Sequence, residues 1–248
     1  MSTRMRPGLF YCMVIMVLMS GGLSGCLKSS VADNTNSVAS NAFITAMNLA
    51  FYSPSTQIYL NGNVLTNPIA PGSYSQSYFS ITPGVYDTQF KAVGADSTLS
   101  DIPSSPYDSS GFYTLILFNR AINGPPASVK ITDDFSTVSS TNSNYRFFNM
   151  CPDAPVVDLY FNTSIVQTAR SLADNVTNTS YDAFQQVAPG TYTIQAKKAG
   201  TDSVVASVSN CTLMPQTAFT IFLSGRPTTT SANVSGGSIS INVLRASY

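Results

Sequence analysis

The sequence predicts an all-β protein: two tandem immunoglobulin-like antiparallel β-sandwich domains behind a signal peptide and a flexible tether. Three observations predict it. The chain lacks Glu, a good helix former, while Thr, Val, Ile, Tyr and Phe are plentiful. Its 248 residues contain an internal repeat. Within each copy, apolar and polar residues alternate between turn signals, the period of a half-buried strand.

The N-terminus comes first. Arg4 and Arg6 precede an apolar run at 9–19 (LFYCMVIMVLM). That length suits the core of a signal peptide and falls short of the ~20 residues that span a bilayer. Gly21 and Gly22 weaken any helix continuing past it. The tetrad Leu23-Ser24-Gly25-Cys26 resembles the lipobox of bacterial lipoproteins, with small residues at the two positions before the cysteine. The resemblance implies that the Cys26 sulfur receives a diacylglycerol, that residues 1–25 are removed, and that the new amino terminus is acylated, as with palmitate. Several acyl chains anchor firmly where one holds marginally. Leu27, where an Asp would favour inner-membrane retention, points to the outer membrane of a Gram-negative host. The expectation is an exported protein attached to the bacterial envelope membrane through lipidated Cys26. The alternative is an ordinary secretory signal with an incidental cysteine. Residues 26–42 are polar and small, without periodicity, and read as the lipidated flexible tether.

The repeat sets the rest of the organisation. At an offset of 101, Asn48-Leu49-Ala50 meets Asn149-Met150-Cys151, Pro54 meets Pro155, and Ile58-Tyr59-Leu60-Asn61 meets Leu159-Tyr160-Phe161-Asn162. At an offset of 106, Pro83-Gly84-Val85-Tyr86 meets Pro189-Gly190-Thr191-Tyr192, and Gln89, Lys91, Gly94, Asp96 and Ser97 meet Gln195, Lys197, Gly200, Asp202 and Ser203. Tyr113 to Leu117 meets Phe219 to Leu223, and Arg120 meets Arg226. The change of offset places a longer loop in the second copy, between the first strands and the Pro-Gly turn. The expected divisions are domain 1 at 43–135, a polar linker at 136–144, and domain 2 at 145–248.

Each copy reads as about seven short strands, the pattern of an immunoglobulin-like sandwich, with a small barrel as the alternative. Pro-Gly at 83–84 and 189–190 suits a type II turn, with Gly taking φ > 0. The strands that follow turn Tyr86, Thr88 and Phe90, or Tyr192, Ile194 and Ala196, inward. The uniformly apolar runs at 112–118 and 218–223 read as central strands, and 128–132 and 238–243 as closing ones.

The segment 148–160 (FNMCPDAPVVDLY) resembles the opening of the DUF4397 family, a domain of unknown function. That opening runs from an apolar strand through His-Ala-Ser-Pro-Asp-Ala-Pro to Val-Asp-Val-Tyr. Val187-Ala188-Pro189-Gly190-Thr191-Tyr192 is similar to the family's Pro-Gly-Thr-Tyr turn. Asn149 stands where the family often carries His, and Phe51-Tyr52-Ser53-Pro54 replaces Pro-Asp-Ala-Pro in the first copy. The resemblance implies an extracytoplasmic sandwich-like domain, frequently tandem and surface-attached, and no established activity.

Composition narrows function. The chain has no His and no Trp. Without His the usual general base and the commonest metal ligand are missing, and Ser-His-Asp and Cys-His catalysis are excluded. With the signal removed, ten basic residues face twelve Asp, so no basic stripe exists for nucleic acid. No cofactor or metal is expected. Asp153 and Asp158 suit turn chemistry better than calcium.

Cys151 and Cys211 both lie in the second copy, opposite Ala50 and Ser105 in the first. Their joint loss predicts a disulfide worth roughly 2–4 kcal/mol, with two separate thiols as the alternative. Tyr52, Tyr74, Tyr78 and Tyr107 are candidates for a binding surface in the first copy. The leading expectation is a non-catalytic surface or envelope lipoprotein with a structural or adhesive role. A module binding a glycan or envelope polymer, or an envelope protein partner, is the second. An Asp-only hydrolase is the third, and it needs two facing carboxylates within about 10 Å in a cleft.

Overall fold

A computed structural model describes residues 40–226 and 238–246. The signal peptide, Cys26 and nearly all of the tether lie outside the described residues.

The first copy supplies nine strands: β1 (Ala42–Leu49), β2 (Thr56–Leu60), β3 (Asn63–Val64), β4 (Ser73–Tyr74), β5 (Phe79–Ile81), β6 (Gly84–Ala92), β7 (Thr98–Tyr107), β8 (Phe112–Asn119) and β9 (Pro126–Thr132). The second supplies β10 (Ser143–Asn149), β11 (Val157–Phe161), β12 (Ser164–Arg170), β13 (Gln185–Val187), β14 (Gly190–Lys198), β15 (Val204–Leu213), β16 (Ala218–Ser224) and β17 (Ser240–Arg245). A one-turn helix α1 (Asp174–Thr177) and a 3-10 turn at Thr179–Asp182 fill the longer loop of the second copy. The chain is therefore all β, built of sandwiches. β10 takes up Ser143 and Asn144, the last two residues of the expected linker.

The offsets read from the sequence map strand onto strand. β2 and β11 are related by 101, and β6 with β14 and β7 with β15 by 106. Details repeat as well. Asn61 and Asn162 both adopt positive φ (47° and 55°). Their Oδ1 atoms accept the backbone N–H of Asp87 (2.8 Å) and Thr193 (2.9 Å). Asn tolerates that backbone region and satisfies a loop donor at the same time. Gly94 and Gly200 turn the β6–β7 and β14–β15 hairpins at φ +76° and +71°, a conformation costly for any residue with a Cβ.

One turn expectation is corrected. Gly84 and Gly190 do not take positive φ; they open β6 and β14 as strand residues. A tyrosine ring lies over each of these glycines, tightly at Gly84 and at ordinary contact distance at Gly190. A Cβ on Gly84 would sit 3.3 Å from the Tyr86 ring, and one on Gly190 3.5 Å from the Tyr192 ring. The ring is held by its hydroxyl, which donates to the carbonyl four residues upstream, Thr82 (2.8 Å) or Ala188 (2.6 Å).

Each copy forms two sheets. The first copy has an inner sheet β4-β1-β8-β9, with β5 also on β1, and an outer sheet β3-β2-β6-β7. The second has an inner sheet β13-β10-β16-β17 and an outer sheet β12-β11-β14-β15. Pairing is antiparallel except at the centre of each inner sheet, where β1 runs parallel to β8 and β10 parallel to β16.

The inner strands are buried on both faces, which explains their near-continuous apolar sequence. Along β1, Ile44 and Ala46 enter the first sandwich core with Ile58, Phe90 and Leu115. Met47 and Leu49 face the other way, into a core shared with Phe148, Met150 and Phe222 of the second copy. On β10, Tyr145 and Phe147 join the second sandwich core with Leu159 and Ile194. The result is four layers, outer–inner–inner–outer, and both copies belong to one unit.

Candidate functional site

The chemistry-bearing side chains gather at the junction of the two inner sheets. Its apolar part comprises nine buried residues: Met47, Leu49, Ile116, Phe118, Ala127, Ile131, Phe148, Met150 and Phe222. At about 1.5–3 kcal/mol per large side chain, this burial is worth more than 10 kcal/mol gross. That is comparable to the whole net stability of a typical domain, so the halves are not independent beads on a string.

A charged node closes one end of the junction. Arg146 stands at the position equivalent to Thr45 and is 1% exposed. Its Nη2 lies 2.7 Å from Asp133 Oδ1, across the two copies. Asp133 follows β9 and is itself 4% exposed. The hydroxyls of Tyr78 and Thr114 each donate to Asp133 Oδ2 at 2.7 Å. Arg146 Nε donates to Thr220 Oγ1 (2.9 Å) and Nη2 to Thr114 Oγ1 (3.1 Å). Its guanidinium is 5.1 Å from the Phe148 ring and 4.6 Å from the Phe184 ring. Phe184 in turn stacks on Phe135, at the end of the first copy. Burial, then the neighbouring Asp133 carboxylate, pushes the Tyr78 hydroxyl far above the usual phenol range. Burial raises the Asp182 carboxyl, opposed by the Asn175 hydrogen bond and by Arg146.

A second arginine braces the longer loop. Arg170 grips Asp174 through Nε (2.7 Å) and Nη2 (2.8 Å), donates to Gln167, and lies 3.8 Å from the Tyr181 ring. This fixes α1 and the 3-10 turn against β10, and so places Phe184 over Arg146.

The opposite end of the junction is pinned by Tyr52 and Asp153, themselves equivalent under the repeat. The Tyr52 hydroxyl reaches both Asp153 oxygens, at 3.0 and 2.8 Å. Burial, then this hydrogen bond, pushes Tyr52 up to about 12. Arg226 lies over the Tyr52 ring at 5.3 Å, and the Tyr52 N–H donates to Asn119 Oδ1 (3.0 Å). Just inside, Asn48 and Asn149 are fully buried. Each accepts the N–H two residues on, Ala50 or Cys151, at 3.2 Å. Asn149 thus holds the loop where the family resemblance expects His.

The four tyrosines do not form one exposed surface. Tyr107 is 1% exposed within the first core, packed on Tyr86 and Tyr113. Tyr74 meets Phe222 edge to face across the junction, and Tyr78 and Tyr52 bond Asp133 and Asp153. Tyr52 and Tyr74 fasten the two copies together, Tyr78 holds Asp133 of its own copy in place for Arg146, and Tyr107 is core.

The disulfide expectation is also corrected: Cys151 and Cys211 are free thiols. Both touch the second core, but toward opposite ends of it. Cys211 lies just before Met214, whose carbonyl accepts the hydroxyl of Ser143 at the start of β10. Cys151 follows the end of that strand and donates to the Gly225 carbonyl (3.1 Å). At ~3.3 Å per strand residue the separation is well beyond the ~7 Å that a disulfide allows. Burial pushes the Cys151 thiol up to about 11.

Asp153 and Asp158, the two carboxylates of the family-like segment, are both hydrogen-bonded. Asp158 accepts the N–H groups of Ala169 (2.8 Å) and Gly200 (2.9 Å), which is turn chemistry. Asp153 is engaged by Tyr52 across the junction rather than by its own turn. Among the described residues no group of three or more acidic or thiol side chains is placed to hold a metal ion.

The fold and junction define a class: a tandem all-β sandwich protein whose two copies share a core. The family known as "domain of unknown function (DUF4397)" matches residues 42–160 and 143–235. The chain belongs to that family, in two tandem copies. No curated protein matches it.

Proposed function

We propose that this is a non-catalytic, lipid-anchored envelope protein whose fused double sandwich serves as a rigid structural or adhesive display module. One observation carries the reading: the fully buried charged pair, Arg146 and Asp133, is spent on holding the two copies together. Asp133 and Asp182 are the carboxylates that interact through the charged node, and an Asp-only hydrolase would need such a pair. Asp133 is buried and held by Arg146, Tyr78 and Thr114, which leaves it no substrate-facing oxygen. A junction of this kind suits a spacer or platform that transmits force without bending, tethered through Cys26 and facing an envelope partner.

The test is fractionation of cells expressing the wild type and Cys26→Ser, with palmitate labelling. The wild type partitions with membranes, the outer one in a Gram-negative host, and takes up label. Cys26→Ser loses both while keeping its folded β spectrum. Membrane retention of Cys26→Ser without label would overturn the anchor.

A further inference from the structure

The end of the stack away from Asn41 gathers two arginines that are in no ion pair among the described residues. Arg120 follows β8 and Arg226 follows β16, at equivalent positions of the repeat. Asn119, beside Arg120, takes the Tyr52 N–H, and the Arg226 guanidinium lies over the Tyr52 ring. Both arginines are therefore drawn to one tip around Tyr52 and Asp153. The contrast with the rest of the molecule is sharp. Arg146 and Arg170 are buried and ion-paired, whereas neither Arg120 nor Arg226 has a carboxylate within ion-pair distance among the described residues. Asp153, beside them, already accepts the Tyr52 hydroxyl on both oxygens. Exposed Ile122 (55%) and Val156 (44%) flank the tip on the adjoining loops.

We propose that this tip binds a carboxylated glycan, with Arg120 and Arg226 taking sugar carboxylates. A guanidinium presents a planar fork matched to a carboxylate. The exposed aliphatic side chains of Ile122 and Val156 offer the C–H faces of a sugar an apolar surface that an acidic peptide does not require. Two guanidiniums with no ion-pair partner among the described residues supply the charge complementarity. The inference deepens the display reading by naming the class of partner. It rests on that reading for the biological setting only.

The experiment measures binding of the purified full chain to polygalacturonate, dextran and polyaspartate at two ionic strengths. Polygalacturonate binds and weakens with salt, and dextran does not bind. Arg120→Gln and Arg226→Gln each weaken binding about tenfold and together about a hundredfold, with the urea midpoint unchanged. Should Arg226→Gln disturb folding, Arg120→Gln alone carries the comparison, since Arg120 is exposed. Equal binding of dextran, or wild-type affinity in the double variant, overturns the proposal. Preference for polyaspartate overturns the glycan assignment. Because binding is read on purified protein, a failed anchor test leaves this measurement standing, and the reverse.

Discussion

Asp133→Asn removes one charge from the junction while keeping the size of the side chain. Arg146 is then 1% exposed with no carboxylate at 2.7 Å. Tyr78 and Thr114 still find an amide oxygen to donate to, so the loss falls on the uncompensated guanidinium. Breaking a buried pair in this way costs about 3–5 kcal/mol. For a chain of this size, with a urea slope of about 2–3 kcal/mol per molar, the midpoint falls by about 1.5 M. Replacing both partners, Asp133→Asn with Arg146→Met, restores most of the loss. The methionine fills the slot between Phe148 and Phe184, and no charge is left buried. Urea unfolding read by far-UV circular dichroism and by tyrosine fluorescence (13 Tyr, no Trp) measures both. A single-variant cost under about 1 kcal/mol, typical of an exposed pair, would refute the reasoning. So would a double variant no better than the single one.

Three further outcomes are expected. Phe222→Ala, emptying a fully buried site that touches Tyr74, costs about 3–5 kcal/mol and lowers one shared unfolding midpoint rather than that of the second copy alone. Alkaline titration followed by ultraviolet difference absorbance shows Tyr52 and Tyr107 ionising late, since each is raised from 10.0 to about 12. A phenol raised in the folded state keeps its proton while the unfolded chain loses it. Stability therefore falls as pH rises from 10 toward 12, and Tyr107→Phe flattens that slope. Alkylation with mass mapping labels both Cys151 and Cys211 in unreduced, unfolded protein; in the native state Cys151 is nearly inert, its thiol raised to about 11.

Much of the fold was legible because the repeat carries its own register. Asn61 with Asn162, Gly94 with Gly200 and Tyr86 with Tyr192 recur because each performs the same backbone task twice. What stayed illegible was long-range. The apolar runs of β8 and β16 predict central strands, but a run buried on both faces demands a layer on each side, and sequence does not say which layer. The second layer turned out to be the other copy. Arg146 was the best available signal, a lone charge in the apolar stretch 145–148 whose counterpart is Thr45. A charge so placed needs a buried partner, yet nothing local points to Asp133. The tyrosines misled for a related reason: Tyr52, Tyr74 and Tyr78 have the polar-tipped, apolar-bodied character of a binding surface, and their partner is inside the same chain. The paired cysteines misled because shared absence from one copy carries no distance.

The most direct measurement of the shared core is native-state hydrogen exchange, resolved by mass spectrometry, on the full chain. With one shared core, amides of β1 and β8 in the first copy and of β10 and β16 in the second open with one common free energy, the global one. Exchange of either copy's inner sheet through a separate, lower-energy opening would contradict it.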